Sequence, residues 1–268
     1  MPGEVDKIMN VIRKKLNALK KQGCKAFIPY LTYGFPDRKT FAKILLAVDA
    51  CGPDFIEIGL PFSDPVADGP MIQQASQTAL DKGATVDGLF ADLKRLKSKL
   101  KAPLLLMTYY NPVFHAGDIK FCQKAKGLIE GLVVPDLLPE EAGELIRAAK
   151  AEDIDTIFFI APTTDPDRYA LIDKSSSGFI YYVSVTGTTG SRTSFSPKTF
   201  AAIAQAKRKV KAPVCVGFGI SRSEHVRAFN KVADGVIVGS AIVRFIGENC
   251  RQKDFLAKFK KFIQRLKE

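Results

Sequence analysis

The chain has 268 residues, of which 46% are hydrophobic and 25% charged, and its formal net charge is +12. This length and composition predict one globular domain over residues 1–268, and the lack of an apolar run of about 18 residues excludes a membrane span. The five cysteines and two histidines are scattered without metal-ligand or disulfide spacing, so we expect no metal site and a cytoplasmic protein.

The high positive charge is the one unusual feature of the composition, and it is compatible with nucleic-acid binding. Lysine and arginine are concentrated, however, on two segments with helical apolar spacing, Val5–Lys21 and Phe255–Lys267. We interpret these segments as solvated helix faces and expect no nucleic-acid partner. Steeply salt-dependent binding to random DNA would support the alternative.

The helix predicted over Val5–Lys21 is followed by eight short aliphatic or aromatic runs, each of which predicts a buried strand. These runs are Ala26–Thr32, Phe55–Leu60, Pro103–Tyr109, Gly131–Val134, Thr156–Ile160, Phe179–Ser184, Pro213–Gly217 and Gly235–Val238. Amphipathic helical patterns alternate with them at Lys39–Ala50, Met71–Asp81, Val86–Leu100, Ile119–Lys126, Pro139–Glu152, Pro166–Lys174, Pro197–Arg208 and Ser223–Lys231, and one or two helices follow from Ser240.

Eight β-then-α units in a chain of this length favour an α/β fold, a closed (βα)8 TIM barrel, over an open sheet. Two predicted helices are extra to the eight units. One precedes the first strand, where we expect it to close the bottom of the barrel, and the other, Val86–Leu100, follows strand 2. The chemistry is then expected at the carboxyl ends of the strands.

The second strand, within FIEIGLPFSDPVADGP (55–70), carries a carboxylate at Glu57. Strand alternation places Phe55, Glu57 and Gly59 on the inward face, so burial should raise the pKa of Glu57 towards neutrality. A group of this kind can give and take a proton near pH 7. The alternative is a structural glutamate paired with a buried cation, but no strand offers an inward Lys or Arg, so we favour catalysis.

Two aspartates, Asp64 and Asp68, follow in the proline-stiffened loop after that strand. From spacing alone, Asp68 is equally compatible with a role at the barrel mouth and with capping the helix that starts near Pro70. For Asp64, capping or a loop hydrogen bond is favoured.

Three glycine-rich stretches follow the last three strands: SVTGTTGSRTSF (184–195), GFGIS (217–221) and GSA (239–241). Loops in these positions commonly hold phosphate through backbone N–H groups and a helix N-terminus. Gly190, Gly219, Gly239 and Ser240 are the phosphate-binding candidates, and tight turns alone are the alternative. We expect the long 184–195 stretch to form a lid over the site.

Apolar and aromatic side chains at inward positions are candidates for the walls of a pocket for a flat aromatic ligand. These are Tyr30, Met107 and Phe218, with Tyr181 in strand six and Thr189 in the predicted lid. For Tyr30, Met107 and Phe218 taken singly, ordinary core packing remains the favoured interpretation. The two histidines, His115 in a loop and His225 on a surface-type helix, are assigned no role.

Six segments in series, IEIGLPFSDPVADGP, MTYYNPVF, VPDLLPEEA, VTGTTGSRT, GFGIS and VGSAIV, resemble the tryptophan synthase alpha subunit family. The resemblance runs from about Ala26 to Phe245, and the first segment alone is highly specific. Two positions differ from the family's usual residues: Tyr30 is often Phe, and Met107 is often Leu. These changes concern pocket shape and affinity more than reaction class.

The resemblance implies a lyase that cleaves indole-3-glycerol phosphate to indole and glyceraldehyde 3-phosphate by a retro-aldol reaction. Glu57 would be the acid–base group, and Asp68 would hold the indole N–H and stabilise the positive charge that develops on the ring. The implied substrate-binding residues are Tyr30, Met107, Tyr181, Thr189 and Phe218, and the implied phosphate site comprises Gly190, Gly219, Gly239 and Ser240. Of these, Thr189 and Gly190 would lie in the closing lid.

The resemblance also implies a partner, a β subunit in an α2β2 complex. Its contacts would be Asp64, Tyr110, Asn111 and Pro112, and pyridoxal phosphate would belong to that partner, with no cofactor in this chain. The alternatives are a free-standing indole-releasing lyase and a catalytically silent subunit that activates its partner. The presence of both Glu57 and Asp68 argues against the silent subunit.

Overall fold

The computed structural model describes residues 11–183, 195–217 and 219–268. Eight parallel strands pair in chain order, and the last pairs with the first, so the sheet is a closed barrel. This confirms the predicted fold. The strands are β1 (Ala26–Thr32), β2 (Ile56–Gly59), β3 (Leu104–Met107), β4 (Gly131–Val133), β5 (Asp155–Ile160), β6 (Ile180–Val183), β7 (Val214–Gly217) and β8 (Gly235–Val238).

Helices surround the barrel, and two short 3-10 turns, Lys97–Lys99 and Pro166–Arg168, lie between them. In the described residues the helices are α1 (Val11–Lys21), α2 (Arg38–Asp49), α3 (Pro70–Asp81), α4 (Val86–Leu96), α5 (Tyr110–Ala116), α6 (Asp118–Ala125), α7 (Gly143–Ala151), α8 (Tyr169–Ser175), α9 (Pro197–Lys209), α10 (Ser223–Asn230), α11 (Ser240–Asn249) and α12 (Phe255–Lys267). Within the described residues, no helix is long and apolar enough to cross a membrane.

Strand alternation divides the apolar residues into two cores. On β1, Ala26, Ile28 and Tyr30 pack in the barrel interior, whereas Phe27 and Leu31 pack in the larger core beneath the helices. Side chains alternate across a strand with a period of two, so both faces of each strand are buried. The interior core is the one that positions the site.

Helix α1 closes the bottom of the barrel, as the sequence predicts. Ile12 and Leu16 of this helix are buried in the interior core. Ile12 fills the space that a side chain would occupy at the first residue of β4, since a Cβ on Gly131 would lie 2.7 Å from Ile12 Cδ1. The amino ends of the strands are therefore sealed, and the opposite ends remain available for a ligand.

Several carboxylates at the bottom of the barrel are structural. Asp54 accepts from Phe27 N at 2.9 Å, Glu130 accepts from Leu104 N at 2.6 Å, and Asp234 accepts from Val214 N at 3.0 Å. Each satisfies the backbone of a neighbouring strand near its start. These carboxylates are partly buried, and their hydrogen bonds compensate for the water they lose.

The main difference from the predicted elements follows β3. The segment expected as a loop forms the seven-residue helix α5, whose N-cap Tyr109 makes no side-chain capping bond. Proline at the third position of this helix conceals the pattern, although proline is tolerated in a first turn. The helix predicted from Pro139 begins instead at Gly143, because residues 139–142 form turns.

Candidate active site

Glu57 lies on β2, in register with Tyr30 of β1 and Leu105 of β3, which are both interior residues. Its side chain is 0% exposed, and neither carboxylate oxygen has a hydrogen-bond partner. Burial, with a smaller contribution from the negative charge of Asp68, raises the pKa of Glu57 to about 8. Among the described residues no cation is paired with it, so the alternative of a structural ion pair finds no support in this geometry.

Asp68 is the second buried carboxylate, in the loop after β2. Burial raises its pKa to about 6, and a hydrogen bond from the Tyr109 hydroxyl opposes that rise. The capping alternative is not realised: the N-cap of α3 is Gly69, and no side chain caps this helix. The Asp68 carboxylate is therefore held beside Glu57 without a helix-capping role.

Tyr109, at the end of β3, positions this loop and was not identified from the sequence. Its hydroxyl accepts from Ala67 N at 2.9 Å, and its ring stacks on Phe62 with centroids 5.3 Å apart. Both contacts hold residues on either side of the exposed Asp64. In the sequence, Tyr109 is one of two adjacent tyrosines, and only the structure shows that it is the buried one of the two.

Tyr30 lies across the top of the interior core. A Cβ on Gly239 would be 3.4 Å from Tyr30 Cδ1, and a Cβ on Gly59 would be 2.5 Å from Tyr30 Cζ. The ring thus extends from the end of β8 to the end of β2. Glycine at position 59 is required because the phenol occupies the space of a side chain.

Tyr181 has a similar arrangement on the other side of the barrel. Its ring fills the space above Gly217, where a Cβ would lie 2.5 Å from Tyr181 Cε1, and it packs against Phe159 with centroids 4.9 Å apart. Burial, and next the charge of Glu57, raise the pKa of Tyr181 well above its ordinary value. Met107 is also in this interior core, so these side chains and Glu57 lie together inside the barrel.

The two described candidate phosphate loops follow β7 and β8. Gly219 adopts φ +77°, a left-handed conformation that favours glycine. Gly239 precedes Ser240, the first residue of α11, and its carbonyl accepts from Ile242 N and Val243 N. The first-turn N–H groups of Ser240 and Ala241 have no acceptor inside the helix, so they are available to an anion.

Three predicted site residues, Thr189, Gly190 and Phe218, lie outside the described residues. The remaining pocket and phosphate candidates lie at the carboxyl ends of the strands or in the loops that follow them. Within the described part of the chain, no cluster of three or more potential metal ligands occurs. The described site thus consists of two perturbed carboxylates, tyrosine rings and backbone amides.

His225, to which the sequence analysis assigns no role, has a packing role on helix α10. The imidazole is buried, accepts from Ser221 N through Nδ1 at 3.4 Å, and packs edge-on against Phe195 with centroids 5.0 Å apart. His225 therefore braces the loop that contains Gly219. The spacing of α10 gives no signal for this, because a histidine within an amphipathic helix fits a boundary position equally well.

The segments after β2, β3 and β4 form an exposed surface, here called the β2–β4 rim and defined by residues 62–66, 110–114 and 136–138. Tyr110 N, at the start of α5, donates to Asp136 Oδ1 at 2.9 Å, which joins two of these segments. Val66 and Phe114 are 80% and 69% exposed, and Leu138 is also exposed. The predicted partner contacts Asp64, Tyr110, Asn111 and Pro112 all lie on this rim, where Asp64 and Asn111 are exposed.

Comparison with known proteins identifies one family over nearly the whole chain. The sequence profile of the family described as tryptophan synthase alpha chain matches residues 16–268. The tryptophan synthase alpha chain of Picosynechococcus sp. is 42% identical over 262 residues, which are 97% of this chain and 99% of that protein. That of Arabidopsis thaliana is 42% identical over 251 residues, with 93% and 91% covered.

Solved structures share the fold. The tryptophan synthase subunit alpha from Legionella pneumophila superposes with a TM-score of 0.88 at 32% identity and covers 97% of both chains. A chain of the tryptophan synthase α2β2 complex from Pyrococcus furiosus superposes with a TM-score of 0.83 at 40% identity, with 90% of this chain and 97% of that chain covered. This chain belongs to the tryptophan synthase alpha chain family.

Proposed function

We propose that this chain cleaves indole-3-glycerol phosphate to indole and glyceraldehyde 3-phosphate, as the alpha subunit of tryptophan synthase in tryptophan biosynthesis. The observation that carries this proposal is the Glu57 carboxyl group, which is fully buried without a hydrogen-bond partner and has a pKa of about 8. A carboxyl group in this state is an acid at pH 7 and needs little driving force to become a base.

The reaction requires that one proton is added to the indole ring and that one proton is removed from a hydroxyl group of the substrate. Protonated Glu57 donates its proton to indole C3, and the ring becomes a cationic indolenine. The Glu57 carboxylate then accepts the proton of the hydroxyl on the adjacent chain carbon. The oxygen forms the aldehyde carbonyl, the carbon–carbon bond breaks, and its electron pair restores the indole ring. Glu57 ends protonated, so the cycle closes without an added acid or base.

Asp68 has the complementary role in this proposal. Its pKa of about 6 leaves it mostly ionised at pH 7, so it accepts the indole N–H and stabilises the cationic ring. Two carboxylates whose environments separate their pKa values are a common acid–base arrangement. Tyr109 holds the loop that carries Asp68, so the acceptor is positioned before the charge develops.

The remaining predicted residues bind the two ends of the substrate. The indole would be enclosed by Tyr30, Met107, Tyr181 and Phe218. Thr189 would lie beside the glycerol chain of the substrate. The amides around Gly219, Gly239 and Ser240, together with Gly190, would hold the phosphate. The described part of this phosphate site relies on neutral amides and a helix N-terminus, which suits a phosphate ester that must be released after each turnover.

The partner in this proposal is a tryptophan synthase β subunit, which would cover the β2–β4 rim through Asp64, Tyr110, Asn111 and Pro112. Exposed Val66 and Phe114 support an interface there, since exposed apolar patches mark interaction sites. Pyridoxal phosphate would reside on that partner, and the alpha reaction would use this chain's residues alone. We place the complex in the cytoplasm, in keeping with five unpaired cysteines.

The proposed function is tested by indole release from indole-3-glycerol phosphate, measured with and without a tryptophan synthase β subunit. We expect indole formation by the chain alone and a rise in turnover when the β subunit is added. Turnover that does not change when the β subunit is added would indicate a free-standing lyase. Stimulation of the partner without any indole release would indicate a silent activator and would refute the proposed chemistry.

The phosphate seat can be tested at Gly239, which avoids the backbone strain that a side chain would cause at Gly219. We expect Gly239→Asp to raise KM about 10- to 100-fold, because a carboxylate about 4–6 Å from the phosphate costs a few kcal/mol in a partly buried site. The matched control is Gly239→Asn, which has the same size without the charge. Equal KM values for the two variants in steady-state assays would place the phosphate elsewhere.

The partner surface can be tested at Phe114. We expect Phe114→Ser to raise the β-subunit concentration needed for half-maximal activation at least about 10-fold, since burying a large apolar side chain contributes about 2 kcal/mol. Turnover without the β subunit should stay the same. Leu171→Ser, at an exposed position on α8 away from the rim, is the control. Equal effects of the two substitutions would contradict an interface at the rim.

A further inference from the structure

Unpaired polar atoms are concentrated at one place in the barrel. Among the residues that the structure describes, four buried side-chain oxygens have no hydrogen-bond partner. Two of them belong to Glu57, one belongs to Asn230 on α10, and the fourth is Thr32 Oγ1 at the end of β1. The roles considered so far use Glu57 and leave Thr32 unexplained.

The Thr32 side chain faces the interior of the barrel at its open end. Ala26, Ile28 and Tyr30 of the same strand pack in the interior core, and alternation continues that face to Thr32. Thr32 is paired in register with Gly59 of β2, two residues beyond Glu57. The threonine is 2% exposed, so it lies inside the barrel, one layer above the Tyr30–Glu57 pair.

The phenol of Tyr30 is a close neighbour of this hydroxyl. Burial raises the pKa of Tyr30 most, the charge of Asp68 adds to this, and the Thr32 hydroxyl opposes it. The two hydroxyl groups are nevertheless outside hydrogen-bonding geometry, since Thr32 Oγ1 has no partner. The Tyr30 ring spans from Gly239 to Gly59 with its hydroxyl end at Gly59, so this hydroxyl pair lies at the end of β2, on the Glu57 side of the candidate phosphate residues.

A buried hydroxyl without a partner is costly, and valine has almost the same shape without that cost. We propose that Thr32, together with the Tyr30 hydroxyl, binds a hydroxyl group of the substrate's three-carbon chain and makes the end of β1 a specificity-determining subsite for hydroxylated phosphate esters. This proposal rests on the proposed function. In that function, the three-carbon chain of the substrate joins its phosphate to the ring carbon that Glu57 protonates.

The subsite can be tested by comparing two ligands in the Thr32→Val variant. One is indole-3-glycerol phosphate, and the other is indole-3-propyl phosphate, which has the same chain length but lacks both chain hydroxyls. We expect KM for the first to rise about 5- to 10-fold, as for one lost hydrogen bond, and the inhibition constant of the second to change less than about twofold. Tyr30→Phe should likewise weaken binding of indole-3-glycerol phosphate more than binding of indole-3-propyl phosphate.

The chain offers a matched control in Thr156, a buried threonine whose hydroxyl donates to Ser175 O at 2.7 Å near the start of β5. Thr156→Val should lower the melting temperature and leave both ligand constants unchanged, whereas Thr32→Val should keep or raise the melting temperature. Equal changes for both ligands in Thr32→Val, or no change for either, would overturn the subsite.

The test separates this inference from the proposed function. Should the wild-type chain bind indole-3-glycerol phosphate without releasing indole, the proposed function fails, but the ligand preference of Thr32→Val remains measurable by calorimetry. Conversely, normal indole release with an unchanged ligand preference overturns only the subsite.

Discussion

Replacing Glu57 with glutamine is expected to lower kcat for indole release at least about 100-fold, with KM changing less than about threefold. General acid–base catalysis contributes about 100- to 10,000-fold, and a glutamine amide can neither donate nor accept the transferred proton. The substitution preserves shape at a site with 0% exposure, so phosphate and indole contacts should survive. Steady-state kinetics with indole detection measures both constants.

The same substitution should also stabilise the fold. The pKa of Glu57 is about 8 in the folded chain, against an ordinary value of 4.5 in the unfolded chain, so folding takes up a proton between these values. Wild-type stability therefore falls as pH rises from about 4.5 to about 8, and the glutamine variant lacks this loss. At pH 7 the difference is about 3 kcal/mol in favour of the variant, measurable by denaturant unfolding at several pH values.

The matched control is Glu130→Gln. Glu130 accepts from Leu104 N at 2.6 Å and pairs with Lys97 at 2.7 Å, so it is a structural carboxylate at the sealed end of the barrel. Its replacement should lower stability and leave turnover unchanged, the opposite of the result at Glu57. Near-wild-type turnover in Glu57→Gln would show that the proton carrier is another group.

The barrel was largely predictable because its strands are short apolar runs with an unambiguous alternation. β1 begins and ends at the predicted residues, Ala26 and Thr32, and Glu57 faces inward. Helix α5 was missed because a seven-residue helix with an internal proline has too few turns to establish a period. Tertiary packing, not local propensity, supports such a segment.

Parts of the site could not be predicted from the sequence, because the role of a residue there depends on which side chains pack against it and not on its type. Gly59 and Gly217 matter because tyrosine rings from adjacent strands occupy the positions of their missing side chains, and no spacing rule reports this. His225 and Thr32 are polar residues that the fold buries, and only the coordinates show that one is satisfied and the other is not. Glu57 was identifiable because a charge in an apolar strand is unusual by itself. For Asp68, spacing left a role at the barrel mouth and helix capping equally open, and only the family resemblance favoured that role.

Replacing Asp68 with asparagine is expected to lower kcat/KM about 100-fold, because one preorganised charge beside the developing cation is lost. Asparagine can still accept the indole N–H through its carbonyl, so part of the binding should remain. The matched control is Asp64→Asn in the same loop, whose exposed side chain should leave the isolated chain's turnover unchanged.

The pH profile makes this prediction specific to the carboxylate pair. Activity requires ionised Asp68 and protonated Glu57, so kcat/KM of the wild type should rise through about pH 6 and fall through about pH 8. Asp68→Asn should abolish the acidic limb. It should also move the basic limb to lower pH, because the Asp68 charge contributes to the raised pKa of Glu57. A basic limb that stays in place would mean that the two groups do not interact, and the acid–base assignment of the site would then need another partner for Glu57.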